Sequence, residues 1–408
     1  MHRAILLVTV LAACGDDGGV RTLDDAPPFD AAPGMATVTV RAGRHLLANH
    51  TVYFQAPDSS EIATVQTDAE GRASAVVPDG SSVTTLVPGN GATSTIYTVM
   101  GVKPQDALTL TVATNFEQPD VTFTFPAYTG VATAVYAIDT TCGGEGVGEG
   151  TTHVLAQDLC SPRTDTMVLA RDVTGTQHVA YLAKLDQPFA DTIDLAGETW
   201  MEIVPSTTTY TNIPAETVRT TAARNLVTPR GVLARCYGGA GAPPTHIAAL
   251  SCATLAGATM RDVFMYTDHQ LIHDFSQVAT APSSTIDLAN VTVRGASDAP
   301  IDGATRTLSW TETAGAAPDF VWVRLIEQGA TPYDRYVLAP YDSTSITLPS
   351  LIGDAAVFDL EAGDEPYIEL RLGTATGGYD AIRPHGPMYE DSVSNEIERI
   401  VTSRPYDG

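Results

Sequence analysis

Val121-Thr122-Phe123-Thr124-Phe125 alternates an apolar side chain with a hydroxyl at every second position. A strand sends successive side chains to opposite faces, so this run makes one apolar face and one wet face. The same period of two recurs in Thr37-Val38-Thr39-Val40, in Thr51-Val52-Tyr53-Phe54 and in Phe320-Val321-Trp322-Val323-Arg324-Leu325. Ser, Thr, Val, Gly and Pro dominate the chain, and long apolar stripes of helical period are missing. Short alternating runs between turn residues specify an all-β fold, a tandem of β-sandwich modules. The best helical stretch, residues 214–225 (PAETVRTTAARN) with Asn212 as a cap, reads equally well as a strand.

The 408 residues carry 48 acids against 22 bases, a formal net charge of −26. Nucleic acid and anionic lipid surfaces both need basic patches, so neither is an expected partner. The length suits roughly two to four domains.

Met1-His2-Arg3 is a short basic start, and residues 4–13 (AILLVTVLAA) are apolar but too short to span a bilayer. They fit the h-region of a secretory signal. The stretch ends Leu11-Ala12-Ala13-Cys14, which resembles a bacterial lipobox. The resemblance implies that residues 1–13 are a signal peptide, cut off before Cys14. Cys14 then carries diacylglycerol and a further acyl chain such as palmitate. Each buried CH₂ contributes about 0.8 kcal/mol, and two or more chains anchor durably where one does not. Residues 15–34 are Gly, Pro and Asp with few apolar side chains, so 14–34 reads as a lipidated, disordered tether. A flexible chain of roughly 20 residues reaches on the order of 25 Å. In one sorting system an Asp directly after the lipidated Cys retains a protein in the inner membrane. Gly15 stands there instead, so the outer membrane is the expected address.

Beyond Cys14 the cysteines are Cys142, Cys160, Cys236 and Cys252. An exported chain meets an oxidising compartment, which favours disulfides among them. Several pairings are open, and an internal repeat favours the local ones, Cys142–Cys160 and Cys236–Cys252. Thr192-Ile193-Asp194-Leu195-Ala196 recurs as Thr285-Ile286-Asp287-Leu288-Ala289, 93 residues on, and Thr166-Met167 recurs as Thr259-Met260 at the same offset. Cys142 and Cys236 lie 94 residues apart, Cys160 and Cys252 92 apart, and Gly143-Gly144 and Gly238-Gly239 follow the first cysteine of each set. Two related modules are expected, 118–202 and 203–292, each closed by a bridge worth about 3 kcal/mol.

Residues 35–112 form the first module. Val38-Thr39-Val40, Thr51-Val52-Tyr53-Phe54 and Thr67-Asp68-Ala69-Glu70-Gly71-Arg72-Ala73 resemble the transthyretin-like or Ig-like modules of carboxypeptidase-regulatory-type and bacterial surface domains. Asp68 can bond its own backbone two residues on, and Gly71 can take positive φ, so two strands fold back tightly. Residues 293–404 form the last module. Leu308-Ser309-Trp310 followed by Phe320-Val321-Trp322-Val323-Arg324 resembles a fibronectin-III-like pair of core strands, with Trp310 in the core. The whole chain resembles multi-module lipoproteins of Gram-negative envelopes.

Catalytic signatures are sparse. There is no G-x-S-x-G elbow, no S-x-x-K and no H-E-x-x-H. His269 and His273, inside Asp268-His269-Gln270-Leu271-Ile272-His273-Asp274, are the weak metal candidates. On a helix they would share a face, but on a strand roughly 13 Å separates them. The repeat places His269 in a hairpin turn and His273 in the next strand. Asp359-Leu360-Glu361-Ala362-Gly363-Asp364-Glu365 is the densest acidic run, without the spacing of a calcium loop. Tyr333, Tyr336 and Tyr341 lie close together on apparent loops, as glycan contacts or as edge-of-core side chains. The expectation is a non-enzymatic, membrane-anchored envelope lipoprotein with no cofactor and a structural, adhesive or protein-interaction role. Its partners are the membrane through the N-terminal lipid, and envelope proteins or glycans. The alternatives are a glycan-binding surface protein and an extracellular hydrolase with β-sandwich accessory modules.

Overall fold

The computed structural model describes residues 34–403, apart from 43–44, 89–92, 113–119, 142–145, 157–162, 216, 242, 268–270, 280–282, 291–293, 298, 329–330 and 388–396. The signal, Cys14, the tether, Cys142, Cys160 and His269 lie outside the described residues. The fold is all-β in several sheets. Among the described residues the one α-helix is the single turn Tyr379–Ile382, and no helix is long and apolar enough to cross a membrane. The 214–225 stretch contributes to a strand, Arg219–Thr228, which pairs on both sides with Gly231–Gly241 and Thr259–Thr267. Thr220, Thr221, Val227 and Thr228 suit that pleat, because β-branched side chains are stiff in a helix.

The largest sheet has twelve strands. In order across it run Gly231–Gly241, Arg219–Thr228, Thr259–Thr267, Leu271–Val278, Ile397–Ser403, Tyr367–Ala375, Phe320–Glu327, Tyr333–Pro340, Ser94–Val102, Ser81–Val87, Thr51–Gln55 and Glu61–Gln66. Spatial order therefore departs from chain order: strands of the last segment lie in the middle, flanked by the first segment and by 203–292. Two seams join them. Tyr333–Pro340 runs parallel to Ser94–Val102 with Tyr336 opposite Tyr97, and Leu271–Val278 runs antiparallel to Ile397–Ser403 with His273 opposite Val401.

The period of two decides what covers each face. In the first segment Val52, Phe54, Val83, Tyr97 and Val99 meet a second sheet built on Met35–Ala42, Arg72–Val76 and Ala107–Thr111. Gly71, at φ 69°, sits where an added Cβ would lie 2.8 Å from the Val40 carbonyl oxygen, so the expected turn requires glycine. In the last segment Val321, Val323, Leu325, Val337, Leu370 and Leu372 point the opposite way, onto Leu308, Trp310, Ile346 and Leu348. Tyr53 and Ile96 of the first segment pack into this last core, while Tyr336 packs against the first one. The first and last segments thus share buried surface on both faces of one sheet.

Residues 118–202 and 203–292 are built alike. Each sets a three-stranded sheet against a larger one, and both small sheets have the same order. Asp120–Thr124 pairs antiparallel with Thr152–Ala156 and parallel with Thr192–Asp194. Ser206–Thr211 pairs in the same two ways with His246–Leu250 and Ser284–Asp287. Gly148 lies against His153 opposite Tyr136, as Gly241 lies against His246 opposite Thr220. Counting from these landmarks, Thr166 corresponds in space to Asp262. The Thr166-Met167 and Thr259-Met260 match is therefore not a spatial one, whereas Thr192–Asp194 and Thr285–Asp287 do correspond.

The two units dock through Met167, Leu169 and Tyr181 on one side and Leu226, Leu233, Ala234 and Ala253 on the other, with Ile203 at their junction. Polar contacts close the rim. The buried Asp165 carboxylate accepts from Thr228 Oγ1 at 2.5 Å and from Arg230 Nη1 at 3.4 Å, and Arg230 also pairs with Asp186. Replacing Asp165 by Ala would take the acceptor from the Asp186 N–H, weaken the bonding of the Thr228 hydroxyl and lose an ion pair that is buried on the carboxylate side. A loss of about 2–3 kcal/mol is expected from urea unfolding, with a smaller loss for Asp186→Asn, which keeps a residue that tolerates the φ of 52° on the exposed rim.

Candidate functional site

A cleft of about 510 Å³ opens beside the parallel seam, between the first and last segments. Gly377 and Gly378, at φ 87° and 70°, turn the chain out of Tyr367–Ala375 into the Tyr379–Ile382 turn. That places Tyr379 under the seam. Its hydroxyl lies 2.5 Å from the Met100 carbonyl and 3.2 Å from the Leu338 carbonyl, one from each strand. Gly101, at φ 67°, lets the backbone pass, because a Cβ there would press on Pro340 and the Tyr379 ring.

Four charged groups at the cleft, Lys103, Asp106, Asp380 and Arg383, are tied to one another. Arg383, nearly buried, donates Nη2 to Asp106 Oδ1 at 2.9 Å and also pairs with Asp380. Lys103 Nζ reaches Asp380 at 2.8 Å. Asp319 Oδ2 accepts from the Ala375 N–H at 3.0 Å. The Lys103 hydrogen bond, with Arg383 behind it, holds the Asp380 carboxyl below its ordinary range. Burial pushes the Tyr379 phenol well up. The phenol is therefore neutral and Asp380 ionised at neutral pH. The arrangement clamps the first segment to the last through Lys103–Asp380 and Arg383–Asp106. Tyr379→Phe removes the donor from two buried carbonyls, and a loss of about 1–2 kcal/mol in chemical denaturation is expected.

The structure disperses the other sequence candidates. His273 lies in Leu271–Val278, on the strand that the repeat indicated. No group of three or more His, Cys, Asp or Glu able to hold a metal occurs among the described residues. The acidic run keeps Asp359 beside Arg306 and the fully buried Arg335, at 3.9 and 4.0 Å. Two of the three tyrosines are not on loops. Tyr333 and Tyr336 belong to the strand Tyr333–Pro340, Tyr333 is 4 % exposed, and Tyr341 follows directly with its hydroxyl on Glu312. Hydrophobic alternation in Tyr333-Asp334-Arg335-Tyr336-Val337 is blurred by buried Arg335, which hid the strand.

Cys236 and Cys252 are both buried in the 203–292 core as free thiols that hydrogen-bond each other, not joined in the expected bridge. That contact and burial push the Cys252 thiol far up. Beside them Arg224 Nε meets Asp262 Oδ1 at 2.7 Å, with both side chains almost wholly out of water. Ser206 and Thr208 accept from the guanidinium at 3.1 and 2.9 Å. This network was missed in sequence, because Arg224 and Asp262 stand 38 residues apart.

His50, His178 and His246 are all held below their ordinary value of 6.5, chiefly by burial. Nε2 of His50 and of His246 is buried without a hydrogen-bond partner. The unfolded chain binds the proton more readily, so stability is complete above pH 6.5 and falls as pH drops through and below it. A denaturant midpoint that declines from pH 7.5 to 5.5 is expected, with a smaller decline in the His246→Phe variant.

No known family profile matches the chain, and no curated protein does. Several solved structures are weakly similar, two of them as follows. The Bacillus anthracis TIE protein shares 12% identity over 63% of this chain and 50% of its own, with a TM-score of 0.17. The tetra-tandem repeat in the extending region of a large adhesion protein shares 12% identity over 84% of this chain and 96% of its own, with a TM-score of 0.14. The chain thus spans about half the length of the TIE protein. At these TM-scores neither likeness carries an argument about role.

Proposed function

We propose that this is a non-enzymatic, N-terminally lipid-anchored cell-envelope protein that presents β-sheet surfaces to partners. The observation that carries the reading is the join of Leu11-Ala12-Ala13-Cys14 to a polar tether and then to an all-β body. The cleft adds support, since its Lys103 and Arg383 are engaged with Asp380 and Asp106 in tying the first segment to the last. Expression in a Gram-negative host with an alkyne-bearing fatty acid tests the anchor. Label is expected on the wild type and absent from Cys14→Ala, which should leave the membrane fraction. An unlabelled, uncut N-terminus would overturn it.

Oxidation to a Cys236–Cys252 disulfide fits the same exported setting, and the thiol contact supports it. Alkylation in denaturant without reductant should leave both cysteines unmodified and joined in one linked peptide pair. Two freely alkylated cysteines would refute the bridge.

A further inference from the structure

The 118–202 and 203–292 units carry nearly the same solvent-facing small sheet, with inward matches at Ile193/Ile286 and Leu195/Leu288, against differently built larger sheets. In the first, Val154, Thr122 and Thr192 stand side by side across the three strands, with Thr152, Thr124 and Asp194 in the next row. In the second, Ile247, Thr209 and Thr285 stand in the first row and Thr211 and Asp287 in the next, with Thr245 just before the His246–Leu250 strand. Ala156 and Ala249 follow on the outer strands, and only Asp120 against Thr207 breaks the match. The larger sheets behind are rebuilt. Ile138 corresponds to Ala222, Thr140 to Arg224, Thr166 to Asp262 and Val168 to Phe264.

Stability does not require that pattern. Solvent-facing substitutions usually change stability by less than about 0.5 kcal/mol, whereas core positions are held by packing. Asp194 and Asp287 do have local work, each accepting from a backbone N–H two residues on at 2.9 Å. Thr122, Thr192, Thr209 and Thr285 make no side-chain hydrogen bond among the described residues, and Val154 and Ile247 are 58% and 67% exposed. Strand propensity would be served as well by Val, Ile or Tyr at the threonine positions.

We propose that these two faces are a duplicated binding site for an uncharged, hydroxyl-rich polymer, a neutral polysaccharide. The inference rests on the non-enzymatic interaction reading above and not on the anchor. Strands about 4.8 Å apart, with like-facing residues about 6.8 Å apart along each, set hydroxyls in a grid around one branched aliphatic side chain. Threonine hydroxyls donate and accept, matching sugar hydroxyls, and Val154 or Ile247 can cover the C–H face of a ring. These face positions hold no Lys or Arg, and the net charge of −26 disfavours anionic polymers. Duplication suits a partner that repeats its own epitope, since two linked weak sites gain about 100-fold or more over one.

The test is affinity electrophoresis of the full mature chain in gels containing a soluble neutral β-glucan or dextran. Val154→Lys, Ile247→Lys and the double variant alter exposed positions, and circular dichroism checks that each remains folded. Retardation of the wild type is expected, with about 100-fold weaker binding for each single variant and none for the double. No retardation of the wild type by either polymer, or equal retardation of the double variant, would overturn the proposal. So would a protein ligand lost in the double variant while neither polymer binds, although the interaction reading would then stand. Release of new reducing ends would instead sink the non-enzymatic reading itself.

Discussion

Asp262→Ala is expected to cost about 3–5 kcal/mol, enough to remove much of a domain's usual stability margin of about 5–15 kcal/mol. Arg224 is 1% exposed, and its Nε meets Asp262 at 2.7 Å. Removing the carboxylate leaves a guanidinium out of water without its charged partner, beside the Ser206 and Thr208 hydroxyls. Arg224→Met combined with Asp262→Leu removes both charges and refills the space, and should recover most of the loss. The first unit indicates that the fold does not need the ions, since the corresponding cross-strand pair is Thr140 opposite Thr166. Urea midpoints of the single and double variants decide the matter. A double variant no more stable than Asp262→Ala would show that the pair contributes net stability rather than merely avoiding a penalty.

Ending the chain before Ile397 is expected to split the molecule's unfolding. Ile397–Ser403 is the strand by which 203–292 continues the sheet of the last segment. It places Val401 opposite His273 on one side and opposite Leu372 on the other. Deletion frees two sheet edges at once and removes the buried Ile397, Ile400 and Val401, each worth about 1.5–3 kcal/mol. Freed edges are templates for pairing with another chain. Calorimetry should show an additional, lower transition, and light scattering should show self-association. A truncated chain that melts like the full one and stays at the same mass would mean that the seam contributes little.

Much of the architecture was legible before the structure. Alternation in Val121-Thr122-Phe123-Thr124-Phe125 and its counterparts marked strands, because a period of two requires only local geometry. Asp68 and Gly71 marked a tight turn for the same reason. The repeat was visible in Thr192–Asp194 and Thr285–Asp287, but its sharpest trace was overlooked. Thr152-His153-Val154 recurs as Thr245-His246-Ile247, also 93 residues on, and it marks the outer strand of both small sheets. The Thr-Met match pointed to the wrong spatial partner, since loops of different length put the large-sheet strands out of step.

The sequence alone determined that the chain is all-β, that it contains a duplicated unit and that its N-terminus reads as an export and lipidation signal, because each of these is written in neighbouring residues. Only the tertiary structure decided that the last segment lies between the first and 203–292. It alone also set Tyr379 under the parallel seam and buried Arg224 against Asp262. Edge strands carry the same unpaired N–H and C=O groups whatever their side chains, so nothing local says which edge will meet which. That choice is made by the sum of buried contacts on both faces, and it exists only once the chain has folded.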